Sequence, residues 1–353
     1  MSDMSKCIAI IGAGAVGSYI GGQMVRSGAD VTFIDPWPIH VDAMRERGLS
    51  VSGMVPGDRY TVAVKAMHVC DVQKFAAQKP IDIAFICTSS CDTDWATLLI
   101  GPYLAPGGFV VSVQNGINEE RIAAHVGWGR VLGGIASLIS VELYQPGCVR
   151  RTAPRGGERH TVFRVGEMHG RVTRRAEELA GLLRCVDSAK VTTNLWGERW
   201  SKLTVNSMRN AVSAVTGMTG NERDLNDITR WLGIRLGAEA VRVGQALGFE
   251  LETMQRMEPE TLARAGEGDS DARREIDGIL VSYARMRADG QRPSTAQDIL
   301  RGRRTEIDFI NGYVAAKGAE IGMPVPLQAA VTALVKKVER RELAPGLALI
   351  AGL

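Results

Sequence analysis

Aromatic residues are scarce in this chain, at 5%, and histidine is scarcer still, with five residues. The aromatics do not interleave with the basic clusters and the formal net charge is only +3, so neither a stacking platform nor a field for nucleic acid is present. None of the six cysteines (Cys7, Cys70, Cys87, Cys91, Cys148, Cys185) makes a C-x-x-C pair, and His40, His68, His125, His160 and His169 make no H-x-x-x-H pattern. A metal site is therefore not expected, and reduced thiols fit a cytoplasmic setting. The apolar stretch from Cys7 to Ile20 is broken by glycines and too short to cross a bilayer. It also lacks the basic flank and cleavage pattern of a signal peptide. Internal repeats and low-complexity tracts are missing too. These absences lead us to expect a soluble cytoplasmic protein with no nucleic-acid or membrane partner.

What is present is a globular composition, 45% hydrophobic and 23% charged over 353 residues, long enough for two domains. Through residue 144, apolar strand-like runs at 6–11, 30–35, 60–66, 81–87, 109–113 and 131–138 alternate with helical patterns, as parallel β-α-β units require. Asp35-Pro-Trp-Pro38 stops the second strand, and a helix over 39–47 ends at Gly48. Shorter strands and turns follow to about 192, with one helix near 171–184. Beyond 193 the pattern is helical: 195–217, 225–248, 271–287, 295–301, 305–321 and 326–342. The polar stretch 258–274 reads as a mobile connection or a short exposed helix. The arginine clusters Arg150-Arg151 and Arg171/Arg174/Arg175 read as solvated faces. Boundaries at 1–193 and 194–353 give an α/β domain followed by an all-α domain.

The first strand runs directly into Gly12-Ala13-Gly14-Ala15-Val16-Gly17, a G-x-G-x-x-G turn that opens a helix. Each glycine answers one need of a bound dinucleotide: Gly12 the tight turn, Gly14 the approach of backbone to pyrophosphate, Gly17 close packing of helix on strand. Asp35 closes the second strand about 20 residues on, where an acid can bond the adenosine ribose. This is the fingerprint of a Rossmann-type domain, with the amides at the new helix N-terminus facing the phosphates.

In the helical half, Lys202, Asn206 and Asn210 recur at i, i+4 and i+8 and so share one helix face. The stripe is either an exposed polar face or, because Leu203, Val205, Met208 and Val212 are apolar, a buried set of one cation and two amides offered to a polar ligand. Thr305-Glu306 opens a helical run, where an acid is favourable for local reasons alone, and Ser294 is an N-cap candidate.

The Lys202/Asn206/Asn210 helix, Pro293-Ser294-Thr-Ala-Gln-Asp298, Gly302 through Thr305-Glu306-Ile-Asp308 to Asn311-Gly312, and Gln114-Asn115-Gly116 together resemble the ketopantoate reductase (2-dehydropantoate 2-reductase) family, in order and over nearly the whole chain. The resemblance implies a Rossmann-like domain followed by a C-terminal domain like that of 6-phosphogluconate dehydrogenase. It implies an oxidoreductase of pantothenate biosynthesis that reduces a 2-oxo acid, ketopantoate or a close analogue, to the 2-hydroxy acid. Carried over by motif, Lys202 is the general acid and Glu306 its acidic partner. Asn206, Asn210 and Ser294 bind substrate, and Asn115 joins Gly12–Gly17 and Asp35 on the cofactor side.

Two departures stand out. Where many members carry a basic residue for the 2′-phosphate of NADPH, this chain has Asp35, which favours NAD(H) over the family-typical NADP(H), unless His40, Arg45 or Arg47 supplies a cation. Ser89 stands where a lysine is common, and the interval from Asn210 to Ser294 is long. The acid at Asp35 also leaves open NAD+-dependent oxidation of a hydroxy acid or secondary alcohol. A non-catalytic dinucleotide sensor is the remaining alternative, and a homodimer is an open possibility.

Overall fold

The computed structural model describes residues 6–286, 290 and 292–353. They divide into two compact units: the residues up to Gln114 with Asn118–Leu195, and Asn115–Ile117 with Trp196–Leu353.

The first unit is built on eight strands: β1 (Cys7–Ile11), β2 (Asp30–Asp35), β5 (Lys65–His68), β6 (Ile81–Ile86), β7 (Leu104–Ser112), β8 (Val131–Ala136), β11 (Phe163–Glu167) and β12 (Ala189–Val191). Their order is β12-β11-β8-β7-β6-β1-β2-β5, parallel except at the β8–β11 pair. Strand periodicity explains the unbroken apolar runs. Ile8 and Ile10 join a core with Phe33, Phe85 and Val111, while Ala9 and Ile11 join the opposite core with Ile34, Ala84 and Ile86. Helices α1 (Ala15–Arg26), α2 (Pro38–Arg47), α3 (Thr93–Ile100), α4 (Glu119–Val126) and α5 (Arg174–Leu183) complete the α/β unit.

A second sheet, ordered β4-β3-β10-β9, is formed by β3 (Leu49–Ser52), β4 (Tyr60–Val62), β9 (Val141–Gln145) and β10 (Cys148–Arg151). It corrects the single strand expected over 60–66. Tyr60–Val62 pairs with β3, and only Lys65–His68 continues into the main sheet beside β2. The four-residue β3, tucked behind Gly48, is too short to announce itself.

In the arginine clusters Arg150, Arg171 and Arg174 are exposed as expected, but Arg151 and Arg175 are not simply solvated. Arg151 is fully buried and paired at 2.7 Å with the equally buried Asp187, while its guanidinium also donates to the Ala153 and Pro154 carbonyls. Arg175 forks onto the buried Glu167 at 2.7 and 2.6 Å. A carboxylate so deep in the protein survives only by pairing.

The second unit consists of α6 (Leu195–Thr216), α7 (Gly220–Leu225), α8 (Asp227–Ala246), α9 (Pro259–Gly266), α10 (Ser270–Met286), α11 (Ser294–Leu300), α12 (Asn311–Glu320) and α13 (Pro326–Glu339). Trp200 on α6 is fully buried and donates its indole N–H to the Ala240 carbonyl at 2.7 Å. It fits because Gly244 of α8 has no side chain, since a Cβ there would stand 2.3 Å from the indole nitrogen. Ile117 packs in the same cluster as Trp200 and Leu203, which is why the short 115–117 segment groups with this unit. The stretch 258–274 is not a loose connection: α9 buries Leu262, Ala263 and Ala265 in a core with Ile234 and Ile276.

Among the described residues, no helix is long and apolar enough to cross a membrane.

Burial raises the Asp187 acid, but the amides of Ser188, Gly156 and Gly157 and the Arg151 guanidinium outweigh it and hold the carboxyl below its ordinary value. A depressed folded value contributes stability above the ordinary carboxylate pKa of about 4 and loses it as pH falls further. Asp187→Ala should cost about 3–5 kcal/mol at pH 7, because it strands a buried guanidinium. Denaturant unfolding across pH should show that gap narrowing in acid.

Candidate functional site

The candidate residues fall in both units. In the first, β1 ends at Ile11 and Gly12 adopts φ +90°, the left-handed turn expected of it. A Cβ on Gly12 would lie 2.7 Å from the Thr88 amide nitrogen, and one on Gly17 would lie 2.2 Å from the Gly12 carbonyl oxygen. Gly14 is different: a Cβ there would meet nothing within 4 Å. It faces open space, as a position reserved for a ligand's approach should. Gly14 is also the N-cap of α1 and brings no side-chain cap, so the first-turn amides at Ala15, Val16 and Gly17 are left for an outside acceptor. Ala13 is fully buried, whereas Gly14, Ala15 and Val16 are partly exposed.

Asp35 ends β2, is 8% exposed, and accepts the Trp37 N–H at 2.9 Å on Oδ1. Burial raises its acid, and the Trp37 amide leads the groups that pull it back.

Three basic side chains near this acid, His40, Arg45 and His68, are bonded within the protein. His40 is wholly buried, with one ring nitrogen at 2.8 Å from the Ala13 carbonyl and the other receiving the Gly147 N–H at 2.9 Å. Arg45 donates to the Ala66 carbonyl at 2.9 Å and to Asp71 at 2.8 Å. Arg47, at the far end of α2, lines a cavity of about 280 Å³ with Gly48, Ser50 and Gly147. The half-buried His68 directs Nε2 to the Pro36 carbonyl at 2.9 Å.

Ser89, at the position of the missing lysine, caps the turn that precedes α3. Gln114 pins the same turn, donating to the carbonyls of Thr88 at 3.1 Å and Ser89 at 3.2 Å.

In the second unit, Lys202, Asn206 and Asn210 lie along α6 as the spacing requires. Lys202 and Asn206 are half-buried and Asn210 is buried. Asn206 Nδ2 has no solvent contact and no protein acceptor. A buried amide proton without an acceptor is costly and points to a ligand that supplies one.

Glu306, 6% exposed, accepts Asn115 Nδ2 at 3.1 Å. Residues 191 apart in sequence thus meet within one unit. Glu306 does not open a helix as expected. It caps a short 3-10 turn, Ile307–Phe309, and α12 begins only at Asn311. The backbone here is anchored on both sides. Thr305 donates its N–H and hydroxyl to Glu339 at 2.8 and 2.5 Å, and Asn311 donates to the Ser207 carbonyl on α6 at 3.0 Å. Ser294 is the first residue of α11 and Pro293 its N-cap, so the serine is not a capping residue.

Two further residues emerge that the motif reading passed over. Thr295, beside Ser294, is 1% exposed and its hydroxyl has no partner. Asp298, on the next turn of α11, has its acid pushed up to about 6, first by burial and then by the charge of Glu306. Both lie inside the Pro293–Asp298 segment, so the motif contained them, but no spacing rule marks a buried hydroxyl or a crowded carboxylate. Among the described residues no three His, Cys, Asp or Glu side chains gather as metal ligands.

Comparison with known proteins bears on both units. The ketopantoate reductase PanE/ApbA family pattern matches residues 8–161, and its C-terminal counterpart matches residues 194–339. A 2-dehydropantoate 2-reductase of Pyrococcus horikoshii is 30% identical over 343 residues, 94% of this chain and 97% of the relative. The structure of a PanE/ApbA family ketopantoate reductase from Ralstonia eutropha aligns with TM-score 0.76 at 28% identity, covering 95% of this chain and 99% of that one. A D-mandelate dehydrogenase solved with NADH and anilino(oxo)acetate shares the fold, with TM-score 0.78 at 23% identity over 95% and 98% of the two chains.

Asp298 has a raised folded value, so its protonated form stabilises the fold: the contribution is complete below about pH 4 and lost as pH rises through about 6. Asp298→Asn should therefore raise the melting temperature at pH 7.5 and leave it near wild type at pH 4. Thermal unfolding at the two pH values tests this, and an offset independent of pH would rule it out.

Proposed function

The chain belongs to the ketopantoate reductase family, and from that premise we propose that it reduces the carbonyl of a 2-oxo acid, ketopantoate or a close analogue, to the 2-hydroxy acid. The family's cofactor is NAD(P)H; when bound, the reduced nicotinamide supplies the hydride that the carbonyl carbon accepts. The observation that carries the assignment of residues is the orphan Asn206 amide. It is one turn from Lys202 on α6, in the same unit where Asn115 holds Glu306.

In this reading, Lys202 hydrogen-bonds the carbonyl oxygen through its ammonium. As negative charge develops there, it gives up one proton to form the hydroxyl and regains one from solvent. A general acid so positioned contributes about 10²–10⁴-fold, and the cation itself stabilises the developing alkoxide. Glu306 accepts a hydrogen bond from the substrate hydroxyl, its carboxylate kept in place by Asn115. The Asn206 and Asn210 amides bind the polar end of the substrate, and Ser294 donates to its carboxylate. The residues fit the cofactor as well. Open space at Gly14 and uncapped amides at the start of α1 suit a pyrophosphate, and Asp35 can accept both ribose hydroxyls.

NAD(H) is the preferred form in this reading. A 2′-phosphate would face the Asp35 carboxylate, and His40, Arg45 and His68 are already bonded to protein groups while Arg47 sits at the other end of α2. Of the three residues considered for the 2′-phosphate, His40 and Arg45 are thus already bonded within the protein, whereas Arg47 lines the cavity with Gly48 and Gly147.

Two measurements follow. Lys202→Ala should lower kcat with ketopantoate about 10²–10⁴-fold while NADH binding, followed by nicotinamide fluorescence, stays near wild type; undiminished turnover would remove Lys202 from its role. Steady-state kcat/KM should be higher with NADH than with NADPH, and Asp35→Ser should narrow the ratio. A wild-type preference for NADPH would overturn the cofactor assignment.

A further inference from the structure

The most tightly specified polar group that the proposed reaction leaves unexplained is His40. It is completely buried on α2 and serves two distant pieces of backbone. The Gly147 N–H points at Nδ1 from 2.9 Å, so Nδ1 carries the lone pair. Nε2 then carries the proton and donates it to the Ala13 carbonyl at 2.8 Å. The same carbonyl accepts the Ser18 hydroxyl at 2.6 Å, and Ser18 Oγ also lies 3.3 Å from Nε2. Both lone pairs of the Ala13 oxygen are thereby used. Trp37 stacks over the imidazole, with ring centroids 5.6 Å apart and planes 23° apart.

The consequence comes from peptide geometry. In a trans peptide the carbonyl and the following N–H point in opposite directions, and the described residues contain no cis bond. Holding the Ala13 carbonyl inward therefore turns the Gly14 N–H away from those partners, at a residue whose Cβ position meets no protein atom within 4 Å. We propose that His40 is a positioning residue for the phosphate-binding turn: by fixing the Ala13–Gly14 peptide from behind, it aims the Gly14 N–H at the pyrophosphate of a bound dinucleotide. The proposal rests on the assignment of the glycine turn to the cofactor and goes beyond it, because no glycine motif specifies a histidine 27 residues downstream of Ala13.

The test compares ADP-ribose, which contains the pyrophosphate, with adenosine, which does not. Affinities for the full-length protein are measured by calorimetry and by ligand-observed NMR. His40→Phe keeps the ring and its stacking partner but removes both hydrogen bonds. It should weaken ADP-ribose about tenfold, as expected for the loss of a buried hydrogen bond, and leave adenosine unchanged. His40→Gln, whose amide can still donate toward Ala13, should recover part of the loss. Ser18→Ala, which removes the other donor to the same carbonyl, should show the same selective loss and serves if the Phe variant does not fold. Unchanged ADP-ribose affinity in the Phe and Ala variants would overturn the proposal. So would equal weakening of adenosine, which would mark a general loosening of the unit. Failure of the wild-type protein to bind ADP-ribose would instead overturn the dinucleotide assignment itself.

Discussion

The approach of α1 to β1 is the constraint on which the first unit depends. At position 17 any side chain would stand 2.2 Å from the Gly12 carbonyl, so only glycine lets the helix begin where it does. One turn on, Gly21 makes room for the Phe33 ring, and Gly22 receives Leu49 and Val51 from the small sheet. With glycine at these three close approaches and Tyr19, Ile20 and Met24 filling the core beside them, the helix settles between two sheets. Its free amides emerge where the turn opens, and Asp35 lies at the end of the strand next to β1. An anion placed at this helix end would need no cation, because close packing and backbone orientation supply the positive end.

The second unit solves a different problem, that of keeping polar side chains in place within an apolar helical bundle. Its solution is to tie the backbone around them. Asn311 donates to the Ser207 carbonyl of α6 and to Gln328, Gln328 donates to the Leu236 carbonyl of α8, and Glu239 receives the first amides of α13. Thr305, bonded twice to Glu339, fixes the residue immediately before Glu306. Leaving any one of these buried groups without a partner would cost about 1–3 kcal/mol. Their collective effect is that Glu306 has little freedom to leave Asn115, which in turn is carried on a segment anchored by Ile117.

How much of this could be read in advance depended on how local its cause was. The glycine turn, the alternating strands and the long helix of Lys202 declare themselves, because periodicity and turn chemistry act over a few residues. The shared face of Lys202, Asn206 and Asn210 follows from helix geometry alone. What escaped was set by partners far along the chain. Arg151 looks like a surface residue until Asp187 is seen beneath it. The stretch around Leu262 reads as polar because its few apolar residues are all on one side, and α8 and α10 cover that side. His40 was considered only as a possible phosphate cation, whereas its real partners, Ala13 and Gly147, lie 27 residues before it and 107 after. The Asn115–Glu306 bond, spanning 191 residues, has no local cause, and the family resemblance points to the two residues separately but not to their pairing.

The two kinds of specificity attributed to this chain have separate physical bases. On the proposed reading, cofactor choice turns on the Asp35 carboxylate at the end of β2, with Arg45 and the His40 imidazole already bonded within the protein. Such an arrangement would discriminate by repulsion, making a second phosphate costly. On the same reading, substrate choice would turn on unsatisfied groups, the Asn206 amide and the Thr295 hydroxyl, which would reward a ligand able to complete them and penalise one that cannot. Because the first is a clash and the second a missing partner, and because they reside on different units, either can change without disturbing the other. A chain with the family's Lys/Asn/Asn helix and an acid in place of the usual base is the outcome that such independence permits.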